Sequence, residues 1–214
     1  QPQLADTIQR FYFDTAPVRG DLVQLSQSGL LKEVLSQKDY PHAIRELLSE
    51  LLAAAALLVS GIKFEGRLSI QLQGSGALNW AMAECSDTGV MRALAQWDLD
   101  HDWKLVNSSS DAMAQLDSTS KNSSTSPSVI FLNMEPETGE RYQSIVERTS
   151  NDLSKTLSHY LKQSLQIDSA LHVAIGSGSA AALLLQKLPG SAQSDTEVDA
   201  DLWNRAQVLA KTLK

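Results

Sequence analysis

The sequence predicts an α+β domain in which antiparallel β-sheets pack in layers around one largely buried apolar helix, with amphipathic helices outside. Two stretches carry this expectation. Leu51-Leu52-Ala53-Ala54-Ala55-Ala56-Leu57-Leu58-Val59 is apolar on every face of a helix, so other layers of the same domain must enclose it. Gly66 to Gly74 then alternates polar and apolar side chains, the pattern of a strand with one face on a core and one in water. A sheet of that kind beside an enclosed helix makes a layered arrangement.

The elements follow in order. Asp6 to Phe13 sets aromatic and aliphatic side chains around charges and reads as an ordered start, with a turn or strand entry at Ala16-Pro17-Val18-Arg19-Gly20. Leu22 to Leu25 reads as a short strand, and Gly29 to Gln37 as a short helix that ends before Tyr40-Pro41. Pro41 suits the first turn of the long helix, where its missing amide hydrogen has no partner to lose; the helix runs to about Ser60, with Gly61 as its C-cap. After the Gly74-Ser75-Gly76 turn a second strand covers Ala77 to Ala83, and Val129 to Met134 is another, followed by a turn at Glu135 to Gly139. Leu153, Leu157, Tyr160, Leu161 and Leu165 recur at three- and four-residue spacing, which predicts an amphipathic helix from Asn151 or Asp152. Leu171 to Ile175 is a strand. The last helix starts at Thr196 or Glu197, with Val198, Leu202, Ala206, Leu209 and Leu213 as its expected buried stripe.

Residues 107–128 interrupt this pattern. Nine serines and two threonines fall in those 22 positions, with Met113, Leu116 and a few alanines as possible anchors. The stretch reads as a mobile surface insertion within a single domain spanning 1–214. Its two Asn-x-Ser sites, at Asn107 and Asn122, are read as chance matches in a serine-rich loop.

Composition narrows the function. With 25 acidic against 18 basic residues the formal charge is −7, which disfavours unspecific attraction to nucleic acid or to an anionic membrane surface. The apolar run Leu47 to Ile62 is too short and too polar at its ends for a membrane span. One cysteine, Cys85, allows neither a disulfide within the chain nor a thiolate-built zinc site, and fits a reducing compartment.

Several patterns imitate catalytic chemistry. Gly176-Ser177-Gly178-Ser179-Ala180-Ala181 follows a strand and fits G-x-G-x-x-A, with Asp195 near the place of a ribose-binding carboxylate. Such a fold needs a regular strand–helix series, so a tight hairpin from Ile175 into Ala181 to Leu188 is the preferred reading. Cys85 lacks an evident base and reads as structural. His42, His101, His159 and His172 are scattered without metal-ligand spacing, and Asp98, Asp100 and Asp102 read as a solvated turn. Glu140, Arg141, Glu147 and Arg148 alternate in sign and suit surface pairing. No G-x-S-x-G, H-E-x-x-H or G-x-x-x-x-G-K-S/T occurs, so no catalytic, cofactor-binding or metal-binding residue is assigned. Phe11, Phe13, Trp80, Trp97, Trp103 and Trp203 are candidates for core or contact roles, core being the assignment for most.

A set of segments, weak singly and specific in their order, carries a family resemblance. They are Phe11-x-Phe13-Asp14, Val18-Arg19-Gly20, Tyr40-Pro41, Leu47 to Leu52, Lys63-Phe64-Glu65-Gly66, Gln71-x-Gln73-Gly74, Gly139-Glu140-Arg141-Tyr142-Gln143, Leu157-x-x-Tyr160 with Ser164-x-Gln166, and Leu184-Leu185-Gln186-x-Leu188-Pro189. Together they resemble the N-terminal core of the redox-regulated holding chaperones, the 33-kilodalton heat-shock protein family. The resemblance implies a cytoplasmic, ATP-independent, non-enzymatic chaperone that holds unfolding client proteins under oxidative stress, typically as a homodimer. It also implies a separate C-terminal module in which a C-x-C and a C-x-x-C pair hold one zinc ion when reduced and form two disulfides when oxidised. None of those four cysteines has a counterpart in this sequence, and Cys85 is not one of them. The serine-rich stretch looks longer and less glycine-marked than the family's corresponding region. The alternatives are a structural dimerisation domain without chaperone activity, a nucleotide-binding enzyme using the Gly176/Gly178 loop, and a nucleic-acid module. The client-binding residues are left unassigned.

Overall fold

Leu51 to Val59 cannot face water on any side, and the architecture is arranged around that constraint. In the computed structural model, which describes residues 6–14, 17–61, 65–117, 128–165, 168–176, 179–188 and 197–211, the long helix α2 (His42–Gly61) lies between two antiparallel sheets. The first sheet has four strands in the order β1 (Thr7–Tyr12), β2 (Val18–Ser26), β9 (Ser179–Lys187), β8 (Ser169–Gly176). The second has five, in the order β5 (Met91–Trp97), β4 (Leu78–Ser86), β3 (Gly66–Gln73), β6 (Val129–Pro136), β7 (Tyr142–Val146). α2 touches β2, β8 and β9 on one side and β3, β4 and β5 on the other, and every residue from Leu51 to Val59 is buried. The sheet-helix-sheet layering expected from the sequence is the observed fold.

The alternating strands supply the walls of this core. Leu68, Ile70 and Leu72 of β3 point inward together with Ala81, Ala83 and Cys85 of β4, while the residues between them face out. In the other sheet Val23 and Leu25 of β2 and Ala180, Ala182 and Leu184 of β9 face α2. Three further helices pack around this core, α1 (Leu30–Leu35), α3 (Ser109–Ala114) and α4 (Leu153–Leu165), with a 3-10 turn at Trp103–Leu105. α4 adds Leu153, Leu157 and Leu161 to the core at the predicted spacing.

The structure differs from the sequence expectations at identifiable places. β2 begins at Val18, not Leu22, because its whole length pairs with β9. β4 extends to Ser86, so Cys85 lies inside the strand and not after it. β5 and β7 had no counterpart in the sequence reading. The first half of the serine-rich stretch is not a surface insertion: Ser108 caps α3 by accepting from Asp111 N, and Ala112, Met113 and Leu116 are fully buried. Leu116 O accepts from both Ser75 N and Gly76 N, and a Cβ on Gly74 would fall 2.2 Å from that oxygen, so the turn after β3 requires glycine there. Residues 118–127, Asn122 among them, lie outside the described residues.

The last helix, α5 (Glu197–Lys211), forms where expected, and of its expected stripe Ala206 is buried while Leu209 is turned to water. Ala206 and Ala210 are buried while Val208 and Leu209 are exposed. The side chains of Val198, Leu202 and Leu213 lie outside the described residues. α5 packs on the far side of the four-stranded sheet from α2, forming a small second cluster with Ala170, Leu183 and Leu185, flanked by Phe13, Leu22 and Trp203.

Candidate functional site

The two sheets each have an outer face, and the strand register decides what those faces present. On the four-stranded sheet Phe11, Gly20, Leu185 and Ala170 form one cross-strand row, and Gln9, Leu22, Leu183 and His172 the next. The Phe11 ring lies directly on Gly20, where a Cβ would stand 2.1 Å from its Cζ. The ring then meets Phe13 at 5.8 Å between centroids. α5 covers the Leu22, Leu183, Leu185 and Ala170 part of this patch through Ala206, Ala210 and the partly buried Trp203, while Phe11 stays exposed. Alanine brings only one methyl to the contact, so each seals the patch with little area of its own.

The five-stranded sheet carries a second apolar row, Leu94, Met82, Gln71, Phe131 and Ile145, across all five strands. Its ends stand in water, with Leu94 42% and Ile145 70% exposed. The neighbouring row, Arg92, Glu84, Ser69, Asn133 and Gln143, is polar and internally bonded. Arg92 Nε lies 3.1 Å from Glu84, Asn133 donates to Ser69, and Gln143 donates to Asn133 at 2.6 Å.

Sheet edges are treated unequally. α4 seals β8: Ser154 and Ser158, one turn apart, accept from Val173 N and Leu171 N at 2.9 Å, and the Ser158 hydroxyl donates to Leu171 O. At the opposite edge, every residue of β1 from Ile8 to Tyr12 is exposed. A strand edge of that kind is open to pairing with another chain. Next to it, the buried Asp21 holds two guanidiniums, Arg10 Nε at 2.5 Å and Arg19 Nε at 3.0 Å. Arg10 also donates to Ser60 O in the last turn of α2, and Arg19 Nη2 donates to Gln186. The bond to Asp21 raises the Arg10 pKa above its usual value.

The catalytic-looking patterns come apart in space. Gly176 closes β8 and pairs across the hairpin with Ser179, which starts β9; Ser177, Gly178 and Asp195 lie outside the described residues. The strand that follows leaves no helix N-terminus for a phosphate, which overturns the nucleotide-binding alternative. Cys85 is buried against its neighbour's carbonyl, and burial pushes its thiol up to about 12, so it is no thiolate nucleophile. His42 stands near Glu46 and His101 edges onto Trp103. Asp98 and Asp102 accept from backbone N–H groups two residues on, as in a turn. Among the described residues no group of three His, Cys, Asp or Glu side chains could hold a metal ion. The zinc implied by the family resemblance does not fit this chain's single, buried cysteine.

Other singled-out residues are structural. Trp97 packs on Tyr40, with the Lys38 ammonium 4.1 Å above its ring, and Trp103 donates to Asp98 O. Arg148 bonds Met113 O and Asp117, tying α3 to the start of α4, while Arg141 reaches Glu135. The sequence reading missed the two outer faces, whose only signal was the outward apolar residues of strands not yet placed side by side.

Comparison with known proteins resolves the family. The model of the Hsp33 protein family matches residues 6–214. The chain belongs to the Hsp33 family. It is 37% identical over 211 residues to the 33 kDa chaperonin of Chromobacterium violaceum, covering 98% of this chain and 65% of that protein. It is 36% identical over 208 residues to the 33 kDa chaperonin of Ectopseudomonas mendocina, covering 97% of this chain and 65% of that one. The chain therefore spans about 65% of the length of the curated relatives it matches. The crystal structure of the 33 kDa chaperonin of Thermotoga maritima superposes with a TM-score of 0.72 at 16% identity, over 97% of this chain and 67% of that one, and shares the Hsp33 fold. No helix of the described residues is long and apolar enough to cross a membrane.

Proposed function

We propose that this chain is the client-holding core of an ATP-independent cytoplasmic chaperone, not an enzyme, and that it binds partly unfolded proteins through apolar sheet surface. One observation carries the reading: the outer face of the four-stranded sheet bears an apolar patch whose Ala170, Leu183 and Leu185 are buried under α5 while Phe11 stays exposed. A surface that must alternately hide and bind apolar segments needs a cover of low affinity, and among the described side chains of α5 those that meet it are Ala206, Ala210 and Trp203. Family membership supports the same assignment. Redox control has no cysteine pair to act on within these 214 residues, so the chain supplies binding and not the switch.

The exposed β1 edge favours a homodimer as the working form, a second copy pairing along β1. A purely structural dimerisation domain would make that contact and leave clients untouched, so one assay separates the two. A chemically unfolded client is diluted into buffer with and without the chain, without nucleotide, and light scattering is followed. Suppression is expected, and stronger suppression from a variant carrying Ala206→Glu and Ala210→Glu, in which α5 no longer seats. Scattering unchanged by either protein overturns the holding function for this chain.

A further inference from the structure

At the C-terminal end of α2 the two sheets diverge, leaving a cleft of about 500 Å³. Its walls are Leu58 of α2, Met134 of β6, Leu161 of α4 and Leu184 of β9, with Arg19 and Gln186 at one side. The volume falls in the ordinary range of small-molecule sites, roughly 300–1,000 Å³. Among the described lining residues Arg19 is the single charged side chain. It belongs to the cluster in which two guanidiniums, Arg10 and Arg19, share one buried carboxylate, Asp21, so one positive charge is left over beside an apolar cavity. Arg19 Nη2 donates to Gln186, while Nε faces Asp21 at 3.0 Å as an ion pair. A guanidinium carries five N–H donors, and those not engaged at this wall are matched to a carboxylate.

We propose that this cleft binds a small amphiphile with one carboxylate head, of the class of medium-chain alkanoates. The tail lies against Leu58, Met134, Leu161 and Leu184, and the head pairs with Arg19. Charge complementarity selects this occupant over a neutral apolar one: an ionised carboxylate supplies the missing negative charge and a charge-assisted hydrogen bond, which an alcohol of the same length does not. The site is separate from the face under α5, and the inference stands whether or not the chain holds clients.

The probe is octanoate, titrated below its micellar concentration into the 214-residue chain and followed by methyl NMR at Leu58, Met134 and Leu184, with 1-octanol as the neutral counterpart. Saturable shifts are expected with octanoate, at an affinity about tenfold above that of 1-octanol. Arg19→Gln brings octanoate down to the level of the alcohol. Arg19→Lys keeps the charge that balances Asp21 but not the planar fork, and gives an intermediate affinity in a folded chain. Met134→Trp, which fills the cleft, removes binding of both probes. Equal affinity for the two probes, indifference of octanoate to Arg19→Gln, undiminished binding in Met134→Trp, or no saturable shift each overturns the proposal.

Discussion

The two long helices at opposite ends of the chain are held by different means. α2, 20 residues, places leucines on every side and meets a sheet on each flank, whereas α5, 15 residues, offers Ala206, Ala210 and Trp203 to one sheet and leaves Val208 and Leu209 in water. Burial of a leucine is worth about 1.5–3 kcal/mol and of a single methyl about 0.8 kcal/mol, so among the described residues the contacts on the sheet's inner face are stronger than those on its outer one. The difference teaches which part of the domain is scaffold and which is cover. The proposed holding function needs both, since the surface offered to a client must not be the surface that keeps the chain folded.

The sharpest test acts on the scaffold. Leu52→Ala removes a fully buried side chain from the middle of α2, where sheets on both sides limit collapse around the gap. The expected loss is about 2–5 kcal/mol, read as a lower urea midpoint with the slope unchanged. A loss well below that range would mean that the layers around α2 close up readily and that the contrast between the helices is overstated.

The next effect concerns a carboxyl that the scaffold keeps out of water. Glu50 lies in the middle of α2, accepts from the Ser109 hydroxyl at 2.7 Å, and faces the carboxylates of Glu46 and Asp152, with Lys155 lining the same cavity. Burial first, then the two carboxylates, push its pKa up to about 7, above the usual 4.5. The folded state therefore favours the protonated form. Ionisation opposes folding in full above pH 7, and the opposition fades as pH falls from about 7 towards 4.5. On the order of 3 kcal/mol is at stake across that window. Glu50→Gln is expected to stabilise the chain at pH 8 and to change little at pH 4, as measured by urea unfolding at both. An equal effect at the two pH values would show that Glu50 is as well solvated as a surface residue.

This contrast between core and cover also marks what the sequence made legible. α2, β3 and α4 were readable because large apolar residues recur at the helical or strand period, as in Leu153, Leu157 and Leu161. β5 was not: its inward residues include the small Ala93 and Ala95 while Leu94 points out, so its alternation carries little hydropathy contrast. α5 was readable as a helix, with Ala206 buried as its period predicts, but Leu209 was not readable as exposed, because the sheet accepts alanines at closest approach and turns the leucine away. The outer faces could not be read at all from one strand. Phe11, Gly20, Leu185 and Ala170 become neighbours only through a register joining strands more than 140 residues apart in the chain.

The smallest expected change in global stability is also the one that most directly challenges the division. Trp203→Ala removes the largest described side chain by which α5 meets the four-stranded sheet, leaving among the described side chains the two alanines and the Asp201–Arg205 pair, which is largely exposed and adds little. If α5 is a cover, the midpoint of global unfolding moves by less than about 1 kcal/mol, as for a change outside the main core. Amide protection and resistance to proteolysis within 197–211 are then lost while those of α2 persist, because local opening has its own, lower free energy. Apolar dye binding rises at the same time, since Leu22, Leu183 and Leu185 come into contact with water. A global loss as large as that of Leu52→Ala would instead place α5 in the same cooperative unit as α2. The outer face could then be exposed only by unfolding the domain, and the proposed client would have to be held elsewhere, the outer row of Leu94, Met82, Gln71, Phe131 and Ile145 being a further largely apolar surface among the described residues.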